Sequence, residues 1–258
     1  MKNKLILILA LLSGLAFTFS GCKKSSSSSG PALTAKQVSS QIALNLTQTL
    51  ESGFGAFGLN SGLNAPVNLG LIPQGRLLRL NATVNPLCGT IADTTLNFTS
   101  NEDGVSASVK GDLKFSFTCS NNIVSGFNVT DNLTISESTA EFSVNYKLIE
   151  DLTLAAVNPS DEASNITLNG SMSIGGDFTY KTGSKGKGSQ NYAYTFHAVT
   201  ADSNGQLLSG SADFNTSGTG STGVWNYTGT VTFLGGGKAK ILINGTTYNV
   251  DLETGVVS

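Results

Sequence analysis

The sequence predicts a mainly β fold: a strongly curved antiparallel sheet or β-barrel, with one amphipathic helix at its N-terminal end. From Arg76 onward, apolar residues alternate with Ser, Thr, Asn and Asp, which is the period of a half-buried strand. Asp-Gly and Asn-Gly pairs between these runs favour hairpin turns. Glycines also recur at apolar positions in mid-strand, which favours a sheet that bends sharply. These glycines are Gly111, Gly170, Gly210 and Gly229.

The helix is predicted over about residues 34–52. Thr34 followed by Gln37 matches a capping box, which marks a helix start. Apolar residues then recur every four positions: Val38, Ile42, Leu46, Leu50 and Phe54. Polar residues occupy the remaining faces: Gln41, Asn45 and Gln48. We expect the apolar stripe to cover one face of the sheet, because a membrane-surface helix would need more basic residues than Lys36.

The clearest strand is predicted over Val105–Cys119 and begins after a turn signal. Asp103-Gly104 favours a two-residue loop, which sets Phe98 opposite Val109 and keeps apolar side chains on one face. Two further hairpins are expected: Asn244-Gly245 sets Ile241 opposite Tyr248, and a three-residue loop ending at Gly205 sets Phe196 opposite Ala212.

The first 21 residues are predicted to be an export signal. Lys2 and Lys4 precede an apolar run over residues 5–19, and the small residues Ser20 and Gly21 follow it. The run is shorter than the ~20 residues that a membrane-spanning helix needs. We therefore expect residues 1–21 to be a cleaved signal peptide.

The segment Phe19-Ser20-Gly21-Cys22 resembles the lipobox of bacterial lipoproteins, although that family usually has Leu where Phe19 stands. The resemblance implies that Cys22 is acylated and becomes the mature N-terminus, which makes a membrane the partner through a lipid anchor. Lys23 lacks the acidic character that the family associates with inner-membrane retention, so the resemblance implies the outer membrane. A plain secretory signal with an incidental cysteine is the alternative.

After Cys22, residues 22–33 read as a lipidated Ser-rich tether, and residues 34–258 as a single mainly β domain. The register that the Asp103-Gly104 turn sets for its hairpin also places Cys88 opposite Cys119. In this register their Cα atoms are about 5.5 Å apart. We expect these two cysteines to form a disulfide in an oxidising compartment.

Composition and residue placement argue against several activities. Charged residues make up 12 % of the chain and lack a basic cluster, which argues against a nucleic-acid partner. The alternation Tyr194, Phe196, Ala198 places the only histidine, His197, on the outward face. Acidic residues are expected at solvated turns, including Glu150-Asp151. The sequence predicts no catalytic residues, no metal ligands and no cofactor, and hence no enzyme.

Aromatic residues in the inward strand phase are the candidate lining of a binding site. They are Phe115, Phe117, Phe142, Tyr146, Tyr194, Phe196, Trp225 and Tyr227. These rings fill the core of a sandwich or barrel, or they surround a cavity for an apolar ligand. The first interpretation predicts a non-catalytic envelope module that binds a protein partner or has a structural role. The alternative is a carrier or sensor for a lipid or another apolar ligand. A transmembrane barrel has the same alternation, but a lipid anchor would then be redundant.

Overall fold

The computed structural model describes residues 33–51, 59–64, 85, 87–102, 104–161, 163–182, 186–220 and 223–258. Helix α1 spans Ala35–Leu46, a π-helical turn covers Thr47–Glu51, and a 3-10 helix covers Leu59–Asn64. The strands are β1 Ile91–Glu102, β2 Val105–Ser120, β3 Ile123–Ser138, β4 Phe142–Ala156, β5 Ile166–Tyr180, β6 Lys187–Ala201, β7 Leu207–Gly220, β8 Gly223–Gly235, β9 Lys238–Ile243 and β10 Thr246–Asp251. The signal peptide, Cys22, Phe54 and the predicted strand residues 76–84 lie outside the described residues.

All ten strands belong to one antiparallel sheet, and each strand pairs with the next one along the chain. This order follows from the short connections, which join antiparallel neighbours directly. The prediction of a mainly β fold with one N-terminal helix is confirmed. β1 and β10 are the two edges of the sheet and do not pair with each other. A barrel or strong curvature, the finer part of the prediction, is therefore not confirmed.

The three predicted hairpin registers are confirmed. The observed pairs include Phe98–Val109, Phe196–Ala212 and Ile241–Tyr248. The turn glycines have the positive φ angles that these loops require: Gly104 has φ +76°, Gly205 +86° and Gly245 +79°. Turn chemistry and side-chain alternation therefore set the same register.

The disulfide between Cys88 and Cys119 is also confirmed, with Cα atoms 5.5 Å apart. Cys88 lies in a turn just before β1, where its N–H donates to the carbonyl of Asn85 over 3.1 Å. The β1–β2 pairing extends towards this turn, because the Phe117 N–H donates to the Thr90 carbonyl over 3.1 Å. The bond therefore fastens the start of β1 to the end of β2.

The predicted capping box of α1 is confirmed, whereas the predicted exposure of its polar residues is not. The Gln37 N–H donates to Thr34 Oγ1 over 3.3 Å, and the Thr34 N–H donates to Gln37 Oε1 over 2.9 Å. Gln41 and Asn45 are buried together with the apolar stripe. The expected separation into an apolar and a solvated face is wrong at these two residues, because side chains of the sheet pair with them.

The predicted alternation of inward and outward residues in β6 is wrong at Ala198, which was expected to face inward. Ala198 is exposed and Val199 is buried, because β6 contains a bulge after His197. Ala198 takes a positive φ of +48°, and its N–H donates to Asn169 Oδ1 over 2.8 Å. His197 still faces outward, as predicted, and lies 2.9 Å from Asp213 Oδ2.

One face of the sheet and the apolar residues of α1 share a single hydrophobic core. The core takes alternate residues from every strand between β2 and β10. In the part of the chain that the structure describes, no helix is both long enough and apolar enough to cross a membrane.

Candidate functional site

Two carboxylic acids lie side by side on the buried face of the sheet. Asp131 on β3 and Glu150 on β4 are direct register partners, with 5 % and 2 % of their surfaces exposed. Glu150 is in phase with the buried Leu148 and Leu152, well inside β4. The expectation that Glu150 lies at a solvated turn is therefore wrong. We call Asp131 and Glu150 the acidic pair.

The surroundings of the acidic pair offer its charge little compensation. Leu113 is the register partner of Asp131 on β2, and Met172 is the partner of Glu150 on β5. Among the described residues, no group outside the acidic pair forms a hydrogen bond with either side-chain oxygen of Asp131 or with Oε2 of Glu150. Burying an ionised carboxylate without such partners is costly, so the neutral form is favoured.

The pKa values of both acids follow from this environment. Burial raises the pKa of Asp131 to about 6. Burial, together with the charge of the neighbouring Asp131, raises the pKa of Glu150 well above its usual range. Both acids therefore keep their protons to a higher pH than they would in water.

A row of tyrosines joins the buried face of the sheet to α1. The Tyr192 hydroxyl donates to Gln41 Oε1, and the Tyr194 hydroxyl donates to Asn45 Oδ1, each over 2.9 Å. The Tyr227 hydroxyl donates to the carbonyl of Leu33 over 2.8 Å, just before the helix. We call these three contacts the tyrosine clamp.

Two further features support the tyrosine clamp. Gln190 Nε2 donates to the Tyr146 hydroxyl over 2.6 Å, which fixes a neighbouring ring in the same layer. Burial raises the pKa values of Tyr192 and Tyr194 above their usual range, so both hydroxyls keep the proton that they donate. The clamp is therefore a set of neutral hydrogen bonds inside the core.

The structure places every predicted lining aromatic on the buried face. The residues are Phe115, Phe117, Phe142, Tyr146, Tyr194, Phe196, Trp225 and Tyr227. Their inward orientation is confirmed, whereas their role in lining a ligand site stays a prediction. Some polar atoms near this layer are buried without a partner among the described groups: Asn45 Nδ2, Gln48 Oε1, Thr216 Oγ1 and Trp225 Nε1.

The outer face of the sheet carries an open groove of about 790 Å³ across β4–β8. Its floor is formed by short residues on the central strands, such as Gly175 and Ser217. Asn191 and Asn226 contribute amide groups, and the exposed side chain of Ile149 lies at one side. The groove can offer hydrogen bonds and a small apolar contact to a partner.

Sequence reasoning missed the acidic pair and the polar partners of the clamp, although a signal was present. Asp131 falls in phase with Val129 and Leu133, and Glu150 falls in phase with the leucines around it. An acid in the inward phase of a long strand indicates a buried carboxyl. Among the described residues, no three His, Cys, Asp or Glu side chains are grouped to hold a metal ion.

Comparisons of this chain with protein-family models, with curated proteins and with solved structures find no match.

Proposed function

We propose that this chain is a cell-envelope lipoprotein whose domain works without catalysis, as a binding or structural β module. The observation that carries this proposal is the tyrosine clamp. The chain's own helix lies against the buried aromatic face and accepts the hydrogen bonds of Tyr192 and Tyr194, and Leu33, just before the helix, accepts that of Tyr227. An apolar ligand would have to displace α1 to reach these rings, so the outer face is the surface left for a partner.

The proposal includes a sheet that curves around α1. Support comes from the burial of α1, where Val38, Ile42 and Ala43 each have no exposed surface. Further contacts reach the helix from the C-terminal segment, since Ser40 Oγ donates to the Gly255 carbonyl over 2.6 Å. Because α1 bonds to β6 and to the C-terminal segment, and Leu33 just before it bonds to β8, a curved sheet would bring these elements together around the helix.

The lipid anchor is proposed at Cys22, and the outer membrane is the proposed location. The anchor is tested by growing cells with an alkyne fatty acid and fractionating their membranes. We expect the wild-type chain to be labelled, the Cys22→Ser chain to be unlabelled, and the control Ser26→Ala to behave as wild type. We expect Lys23→Asp to move the protein to the inner-membrane fraction. A wild-type chain without label would contradict the proposed anchor.

A carrier for an apolar ligand is the second candidate, and the unpartnered polar atoms near the clamp favour it. Buried groups such as Asn45 Nδ2 and Trp225 Nε1 normally bond to water or to a bound molecule. A carrier would therefore place the polar end of its ligand near these atoms. In that case α1 would be the element that moves.

The two candidates are separated by extracting the purified mature protein with organic solvent and analysing the extract by mass spectrometry. The binding or structural module predicts no lipid in stoichiometric amount. One lipid per chain would support the carrier and contradict the first proposal. The variant Ala212→Trp, which fills space on the inward face, would then lose the lipid, whereas Ser217→Trp on the outer face would retain it.

A further inference from the structure

The two edges of the sheet differ in how they are covered. At the β10 edge, Asn249 and Ser258 exchange two backbone hydrogen bonds of 3.2 and 2.9 Å. Val250 forms a bridge with Val257 in the same segment. At the β1 edge, no described residue pairs with the side that faces away from β2. Among the described residues, the C-terminal segment therefore covers one edge, and β1 at the other edge has β2 as its one neighbour.

β1 has the properties of a strand that can accept another strand. Ile91–Glu102 contains no Pro, Lys or Arg and pairs with β2 over its whole length without a bulge, so three common protections of an edge strand are missing from it. Thr90 bonds to β2, and in an antiparallel ladder the bonding residues alternate. The even-numbered residues of β1 therefore face β2, and the odd-numbered ones direct their N–H and C=O groups to the open edge.

The inward side chains of β1 are covered less than those of the neighbouring strand. Phe98 is 44 % exposed and Leu96 is only partly buried, whereas Leu113 and Phe115 on β2 have no exposed surface. An additional strand with apolar residues in the inward phase would cover Leu96 and Phe98. β1 itself has that pattern.

We propose that β1 pairs antiparallel with β1 of a second copy of this chain, about a two-fold axis at Asn97. In this register Leu96 of each copy lies opposite Phe98 of the other, so the apolar rows of the two sheets become continuous. The odd-numbered residues of both strands then form roughly ten backbone hydrogen bonds. The register also suits the charges, since Asp93 lies opposite Asn101 and Glu102 lies opposite Ala92. No two like charges meet, as self-pairing requires.

Sedimentation equilibrium of the mature lipoprotein in density-matched detergent tests the proposal, because it measures the oligomeric state. We expect the wild-type protein to sediment as a dimer. Asn97→Asp places two carboxylates opposite each other at the axis, and we expect the dimer Kd to rise about two- to fivefold. In the separate chain the new carboxylate lies opposite Lys110, so the fold is not weakened. The control Asn128→Asp, on the exposed side of β3, leaves the Kd unchanged.

A cross-link locates the contact. Asn97→Cys in the mature protein is treated with a short bis-maleimide, which does not react with the native disulfide. We expect a product of twice the chain mass for Asn97→Cys and none for Asn128→Cys. A monomeric wild-type protein, an unchanged Kd in Asn97→Asp, or a cross-link to a different protein would each overturn the proposal. A thermal melt of every variant confirms that the fold is intact.

Discussion

Replacing the acidic pair by its amides, in the double variant Asp131→Asn with Glu150→Gln, tests the buried carboxyls directly. Both acids have higher pKa values in the folded chain than in an unfolded one, so the folded protein holds protons that the unfolded chain releases. The contribution of Asp131 is therefore fully present below pH ~4 and is lost as the pH rises through about 6, and the contribution of Glu150 is lost as the pH rises through its own raised pKa. For Asp131, the rise in pKa from 3.8 to about 6 corresponds to about 3 kcal/mol of unfolding free energy.

The measurement is urea unfolding of the mature protein at a series of pH values between about 4 and 7. We expect the wild-type unfolding free energy to fall by at least about 2 kcal/mol more than that of the double variant over this range, because Asp131 alone contributes about that much and Glu150 adds to it. Asp151→Asn is the matched control, because Asp151 is the next residue along β4 and points to the solvent. The control should keep the wild-type pH dependence. Parallel curves for the wild type and the double variant would refute the reasoning.

Three further predictions concern the core and its cross-link. Tyr194→Phe should lower the unfolding free energy by about 1–2 kcal/mol, because Asn45 Oδ1 loses its donor, and a double-mutant cycle with Asn45→Ala should show coupling. Reduction of the disulfide, which spans a sequence separation of 31, should cost about 4 kcal/mol in the chain-entropy model, as measured by unfolding with and without reductant. Gly170→Ala should lower the melting temperature strongly, because its φ is +119° and a Cβ would overlap the Asp151 carbonyl, whereas Gly220→Ala meets open space and should melt as wild type.

The parts of the fold that the sequence predicted depend on interactions between close neighbours along the chain. Asp-Gly and Asn-Gly turns fix which residues face each other, and the two-residue alternation fixes which side is buried. The disulfide followed from the same arithmetic, since the turn that pairs Phe98 with Val109 also brings Cys88 to Cys119. Local rules of this kind can be applied to the sequence without knowing which element covers the sheet.

The interior was predicted less well because its polar residues depend on distant partners. Gln41 and Asn45 look like a solvated helix face until Tyr192 and Tyr194 are placed opposite them. The bulge at Ala198 likewise depends on an amide from the neighbouring strand, through Asn169 Oδ1. Polarity alone does not distinguish a side chain in water from one that is bonded inside a core.

The tyrosine clamp has a consequence for the order in which the chain is made. The helix is synthesised before every strand, yet its hydrogen-bond partners Tyr192 and Tyr194 come 151 and 149 residues later. Tyr227, which bonds to Leu33, is 194 residues further along the chain, and Gly255, which bonds to Ser40, is 215 residues further along. Consecutive hairpins can form as they emerge, since each joins near neighbours. The first helix, by contrast, gains these partners only after β6, β8 and the segment around Gly255 have been made, so completing the core is a late event in synthesis.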